Sequence, residues 1–207
     1  MNHSFETKGT GMARTHELVA KDLLPMEAYA KIRTEQRRRM VELKRRRRVD
    51  VGPFVTFYFE CYDTMWHQVQ EMLFIEKGGP GQIPGELEAY NPLVPKGDEL
   101  VATIMIEIED PVRRKRVLAG LGGIEGTATL GFAGEVIKGE PETDQERTTT
   151  EGKASSVQFV HFRFAPAQIA KFRTAGTQVV LGLAHANYGH MAVMPESMRA
   201  ELAKDFD

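Results

Sequence analysis

The chain has 207 residues, with 27 basic and 29 acidic side chains and a formal charge of −2, so it has no global attraction for polyanions. Hydrophobic residues at 42% and charged residues at 27% are ordinary globular values, which exclude collagen-like, coiled-coil and wholly disordered classes. No apolar run approaches the ~20 residues of a membrane helix, and the start of the chain lacks the apolar stretch of a secretory leader. A single cysteine, Cys61, excludes an intrachain disulfide and a multi-thiolate metal site within one chain. These features predict a cytoplasmic protein with a mobile tail over 1–17 and one domain over 18–207.

Asp22 before Leu23-Leu24-Pro25 marks the start of a helix, and Tyr29, Ile32, Met40 and Leu43 keep helical spacing to about Arg48. Glu27, Glu35 and Glu42 each stand four residues ahead of a base: Lys31, Arg39 and Arg46. Beyond Gly52-Pro53, residues 54–61 have the aromatic and β-branched content of a strand. Asp63 and Thr64 then open a helix that carries Trp66, Val69, Met72 and Leu73 and ends at Gly78. Residues 78–98 hold five glycines and four prolines, which predicts a long loop with one helical turn over 86–90. Leu87, Tyr90, Leu93 and Val94 predict that this loop docks on the fold, with Glu86 and Asn91 facing a polar carboxylate pocket as a lid or as part of a subunit contact.

Residues 101–109 alternate as a strand does, with Ala102, Ile104, Ile106 and Ile108 on one face and Glu107 and Glu109 on the other. Asp110-Pro111 opens a short basic helix to Leu121, followed by glycine-punctuated strands near 126–131 and 134–138 and an exposed polar stretch over 139–153. A strand over 157–164, a helix over 165–175, a strand over 178–184 and a terminal helix over 195–206 complete the order. The predicted class is α+β: a mainly antiparallel sheet, a long basic N-terminal helix and several shorter packed helices.

Residues 21–50 contain eleven bases against five acids. Such a run is large enough for a phosphate patch, yet a helix points it in every direction and no aromatic is interleaved for base stacking. Ion pairing within the chain or with a second copy is therefore expected, and nucleic acid is disfavoured. Arg33, Arg37 and Lys44, with Gln70, Glu86 and Asn91, are the candidate binding residues.

Carboxylates give the catalytic candidates. Glu60 closes a strand, Glu71 lies on the next helix and Glu107 on a second strand, so these three and Gln70 are predicted around one polar pocket. His67 and Glu71 stand four apart on one helical face; with Glu60 and His185 they form a carboxylate–imidazole set suited to iron, manganese or zinc. The competing reading makes Glu60 and Glu71 partners of Arg33, Arg37 or Lys44. His185 and Tyr188 form an acid–base pair, or else a turn shaped by Asn187 and Gly189. Cys61 reads as buried filler. The glycine runs over 78–81 and 120–126 lack the order of a nucleotide-binding loop, so no nucleotide cofactor is expected, and a transition metal is the candidate cofactor.

Taken in order, several strings resemble one family: Asp22-Leu23-Leu24-Pro25, Arg33 with Arg37, Lys44 to Pro53, Thr56-Phe57, Phe59-Glu60, Gln68-Val69-Gln70-Glu71-Met72-Leu73, Glu86-Leu87, Tyr90-Asn91-Pro92, the stretch 102–107, and His185 with Tyr188. They resemble the bacterial domain-of-unknown-function family numbered 3501 over residues 18–205. The chain departs from the usual pattern at Cys61-Tyr62 and at Phe74, where relatives tend to carry Asn-Arg and Arg. The resemblance implies no defined activity, but it implies work beside rubrerythrin-like or iron–sulfur redox proteins. Three functions are open at this point: a homo-oligomeric accessory or interaction protein with such a redox partner, a small metal- or ligand-dependent enzyme built on Glu60, Glu71, Glu107, His185 and Tyr188, and nucleic-acid binding through the basic helix.

Overall fold

The computed structural model describes residues 15–142 and 153–207; the expected tail before residue 15 and the middle of the expected polar stretch, 143–152, lie outside the described residues. Two antiparallel sheets face each other. The first runs β1–β2–β3–β7–β6, from β1 (Arg48–Asp50), β2 (Val55–Phe59), β3 (Glu99–Ile106), β7 (Val157–Arg163) and β6 (Glu140–Pro141). The second runs β5–β4–β8–β9, from β5 (Glu135–Lys138), β4 (Ala128–Phe132), β8 (Val179–His185) and β9 (Tyr188–Met194).

Alternation along the strands fixes which face meets which neighbour. Phe57, Phe59, Leu100, Ala102, Ile104, Val160 and Phe162 point from the first sheet into a core shared with Leu130, Phe132, Leu181 and Leu183 of the second. Val101 points the other way, into a smaller core with Met65, Val69, Leu73, Leu93 and Val94. The first sheet is thus covered on one face by the second sheet and on the other by α2 (Tyr62–Glu76) and α3 (Ile83–Tyr90). Against α2 lies α1 (Met26–Arg45), whose Tyr29 is fully buried with its ring edge-on to Trp66 and Phe74. Short helices α4 (Pro111–Leu118), α5 (Pro166–Arg173) and α6 (Glu196–Leu202) complete the α+β architecture.

The structure departs from the sequence-based expectations at several places. α1 starts at Met26 after a separate 3-10 turn over Ala20–Asp22, so Pro25 and not Asp22 stands at its N-terminus, and β6 lies at the start of the stretch expected to be an exposed polar segment. α1 stops at Arg45, because Arg47 turns inward to the carbonyls of Phe59 and Glu60 while Arg48–Asp50 pairs with β2. Its surface ion pairs are Arg38–Glu35, Arg45–Glu42 and Arg39–Asp63 rather than pairs four residues apart. The loop over 78–98 contains the eight-residue α3 between two 3-10 turns, with Leu93 and Val94 buried. A ninth strand, β9, follows a two-residue turn at Ala186-Asn187. Among the described residues no helix is long and apolar enough to cross a membrane.

Candidate anion-binding groove

α1 and α2 bring five of the candidate residues together. The Tyr29 hydroxyl donates to Glu71 Oε1 at 2.6 Å. One turn further along α1, Arg33 grips the same carboxylate with both arms of its fork, Nε to Oε1 at 2.9 Å and Nη2 to Oε2 at 2.8 Å, the bidentate geometry that suits a planar guanidinium. Its guanidinium carbon lies 4.6 Å from the centre of the Phe74 ring, a cation–π contact. These bonds hold Glu71 below the usual carboxylate range, first through Arg33 and then through Tyr29, while burial and the Glu71 bond push the Tyr29 phenol well above its ordinary value.

His67, one turn ahead of Glu71, places Nδ1 3.2 Å from the Tyr29 oxygen. The single phenolic hydrogen is committed to the carboxylate, so in this pair Nδ1 must be the donor. Nε2 is then left with a bare lone pair. Burial lowers the His67 pKa, and the charges of Lys44, Arg37 and Arg33 lower it further against the opposing pull of Glu71. The ring is therefore neutral near pH 7.

The other edge of this network forms a groove of about 500 Å³ lined by Arg33, Arg37, Lys44, His67, Gln68 and Glu71 among others. Most bases of this region are neutralised within the chain: Arg33 by Glu71, Arg38 by Glu35, Arg39 by Asp63, Arg45 by Glu42, Arg46 by Glu201, Arg47 by Asp205 and Arg48 by Asp50. Arg37 and Lys44, seven residues apart on one helical face and both at the groove, make no such pair among the described residues.

The remaining candidates lie elsewhere, and the predicted four-residue pocket does not form around Glu71. Glu60 is buried beneath the helices and accepts from the Thr103 hydroxyl at 2.6 Å, its Oε2 without a hydrogen-bond partner among the described residues. Gln70 holds the backbone of Leu24, its Oε1 accepting from the amide at 2.5 Å. Glu107 is exposed just past β3 and shares the Thr56 hydroxyl with Asp50. Instead of facing a pocket as a lid, Glu86 accepts from Gln82, and Asn91 clasps both backbone groups of Leu18. His185 and Tyr188 are register partners in the second sheet. His185 Nδ1 accepts from the Asn187 amide and Nε2 reaches the Gly122 carbonyl, whereas Tyr188 donates to the Val51 carbonyl at 2.7 Å. These bonds fit the turn reading, with both side chains fixing backbone. The metal set of His67, Glu71, Glu60 and His185 is accordingly not assembled, and no cluster of three such ligands occurs among the described residues.

Two polar constellations carry no local sequence signal. His161 sits between Glu99, 2.9 Å from Nδ1, and Glu142, 3.1 Å from Nε2, on a groove of about 990 Å³. Burial alone lowers its pKa, but the two carboxylates outweigh this and raise it above the ordinary histidine value. Cys61 lines another pocket of about 520 Å³ with Arg47 and Asp205, and burial pushes its thiol up despite Arg47, so it stays protonated.

A two-sheet α+β body with α2 and α3 packed on its first sheet and a cationic groove between α1 and α2 is the class of protein defined here. The chain belongs to the family described as protein of unknown function, DUF3501, whose model matches residues 17–206. It is also similar to a crystallised protein of unknown function from Burkholderia pseudomallei K96243, at 38% identity and a TM-score of 0.85, covering 92% of this chain and 99% of that one. No curated protein matches.

Proposed function

We propose that this protein is a non-catalytic accessory protein that recognises an anionic group in the groove between α1 and α2. The observation that carries this reading is the pair Arg37 and Lys44, which face one groove beside neutral His67 while the neighbouring arginines are spent on internal carboxylates. Two cations converging on one concavity attract an anion, and the low-dielectric wall that buried Met40 contributes strengthens the attraction. The reading keeps the partners expected from the sequence: a redox protein of the rubrerythrin-like or iron–sulfur class and a second copy of the chain. Nucleic-acid binding loses support because so much of the basic run is already paired. The enzyme reading loses support because its five residues share no site.

The test is histidine-selective nitrogen NMR of the protein titrated with inorganic phosphate, sulfate and acetate. The reading expects the His67 ring signals to move with at least one anion, and to stay still when Arg37 and Lys44 are both alanine. No response to any of the three contradicts it.

A further inference from the structure

We infer that the groove selects an oxyanion that still carries a hydrogen, such as inorganic phosphate or a phosphate monoester, over anions that have none to give. The inference rests on the anion-binding reading above and adds to it the chemistry of the ligand. Arg37 and Lys44 are indifferent to the kind of anion, since each offers only donors and charge. His67 is not indifferent. Its Nδ1 hydrogen is committed to the Tyr29 oxygen, whose own hydrogen is committed to Glu71, which Arg33 holds ionised. The ring lines the groove, so the nitrogen it has left for a ligand there is the acceptor Nε2. A sulfate, carboxylate or phosphodiester oxygen meets that nitrogen lone pair to lone pair.

Two escapes are open to the ring, and the surroundings oppose both. Moving the hydrogen from Nδ1 to Nε2 would leave Nδ1 facing an oxygen with no hydrogen to offer it. Taking up a second proton would put a cation among the groups that face His67, which are Tyr29, Arg33, Arg37 and Lys44 from α1 and Glu71 from its own helix. Three of those are bases. A ligand P–OH removes the conflict, because it donates to Nε2 while its remaining oxygens accept from Arg37 and Lys44. A phosphate monoester has its second pKa near 6, so it keeps such a hydrogen in the mildly acidic to neutral range. Phosphodiesters, sulfate and carboxylates carry none there. The volume of about 500 Å³ suits a phosphorylated small molecule or one phosphorylated side chain.

Calorimetry near pH 6, where methyl phosphate carries roughly one and a half negative charges, between the one of dimethyl phosphate and the two of sulfate, separates the hydrogen from the charge. Inorganic phosphate and methyl phosphate are expected to bind roughly tenfold or more tightly than dimethyl phosphate, sulfate or acetate, since a buried acceptor left without a donor is costly. The preference is expected to shrink toward pH 8 as the monoester loses its hydrogen. His67→Gln, whose amide can turn an N–H toward the ligand, is expected to bring sulfate and phosphate close to parity, whereas Arg37→Ala weakens all probes alike. A phosphoserine peptide that binds more tightly than methyl phosphate assigns the group to a partner's side chain; equal or weaker binding assigns it to a small molecule. Equal affinity of the unaltered protein for sulfate and phosphate, or an NMR signature of a hydrogen on His67 Nε2, overturns the inference while leaving the anion site standing. Binding of none of the probes overturns the anion-binding reading itself.

Discussion

Arg47 and Asp205, 158 residues apart in the chain, meet as a buried ion pair that ties the end of α1 to the C-terminal turn. Arg47 Nη1 lies 3.2 Å from Asp205 Oδ1, Nη2 bonds Oδ2, and the remaining donors reach the carbonyls of Phe59 and Glu60 at 2.9 and 3.0 Å. The pair closes the base of the helical layer that positions the groove.

Removing one partner of a buried pair strands the other charge, which costs about 3–5 kcal/mol. Asp205→Ala is therefore expected to lower the urea midpoint strongly. Arg47→Met combined with Asp205→Leu is expected to recover much of the loss, because the stranded charge goes with its partner. Equal stability of Asp205→Ala and the parent in urea denaturation contradicts the buried-pair account.

The Glu71 carboxylate gives stability that depends on acid. Its folded pKa is lowered from 4.5, chiefly by Arg33, so its contribution is present above that value and is lost as pH falls through the folded pKa. Thermal melts from pH 6 down to about pH 3 are expected to show a smaller loss of melting temperature in Glu71→Gln than in the parent. Parallel curves for the two proteins contradict this.

His161 works in the opposite direction. Its folded pKa is raised from 6.5 by Glu99 and Glu142, so the stabilisation is complete below that value and declines as pH rises through the folded pKa. His161→Gln is expected to be less stable than the parent at pH 6, and the gap is expected to narrow at alkaline pH. A gap that is independent of pH contradicts the ion-pair role.

Asn91 is expected to act as a clasp. Its side-chain oxygen accepts from the Leu18 amide at 2.7 Å and its amide donates to the Leu18 carbonyl at 3.0 Å. Asn91→Ala leaves both backbone groups of Leu18 without these partners, at a cost of roughly 1–3 kcal/mol each if water does not replace them. Limited proteolysis is expected to cut near residues 15–20 faster in the variant while the sheets stay protected. Equal cutting rates contradict the clasp.

What the sequence reveals, and what it hides, follows from how local each signal is. β3 was legible because Ala102, Ile104 and Ile106 all point into the shared core. α1 was legible through Tyr29, Met40 and Leu43, the three residues it buries. β9 was hidden because it is an edge strand whose apolar Met191 and Val193 face solvent, and its fully buried residues are the two at its ends, Tyr188 and Met194. At the groove, the competing assignment of Glu71 to Arg33 is the one the coordinates support, since both lie on long helices with regular spacing. The convergence of Glu60, Gln70 and Glu107 with Glu71 failed because a strand or helix assignment does not say which neighbour each side chain finds. Glu99 with His161, and Arg47 with Asp205, carry no sequence signal, because each pair is assembled only by long-range packing.

The central claim is that Arg37 and Lys44 make the α1–α2 groove an anion site. Its most direct test is the dissociation constant for inorganic phosphate, measured by calorimetry on the parent, on Arg37→Ala with Lys44→Ala, and on Lys31→Ala, a base of α1 that does not line the groove. The account predicts measurable binding by the parent and by Lys31→Ala, and a loss of roughly tenfold or more in the double variant, because two charge-assisted contacts are removed. Equal affinity in all three proteins, or no binding by the parent, contradicts it.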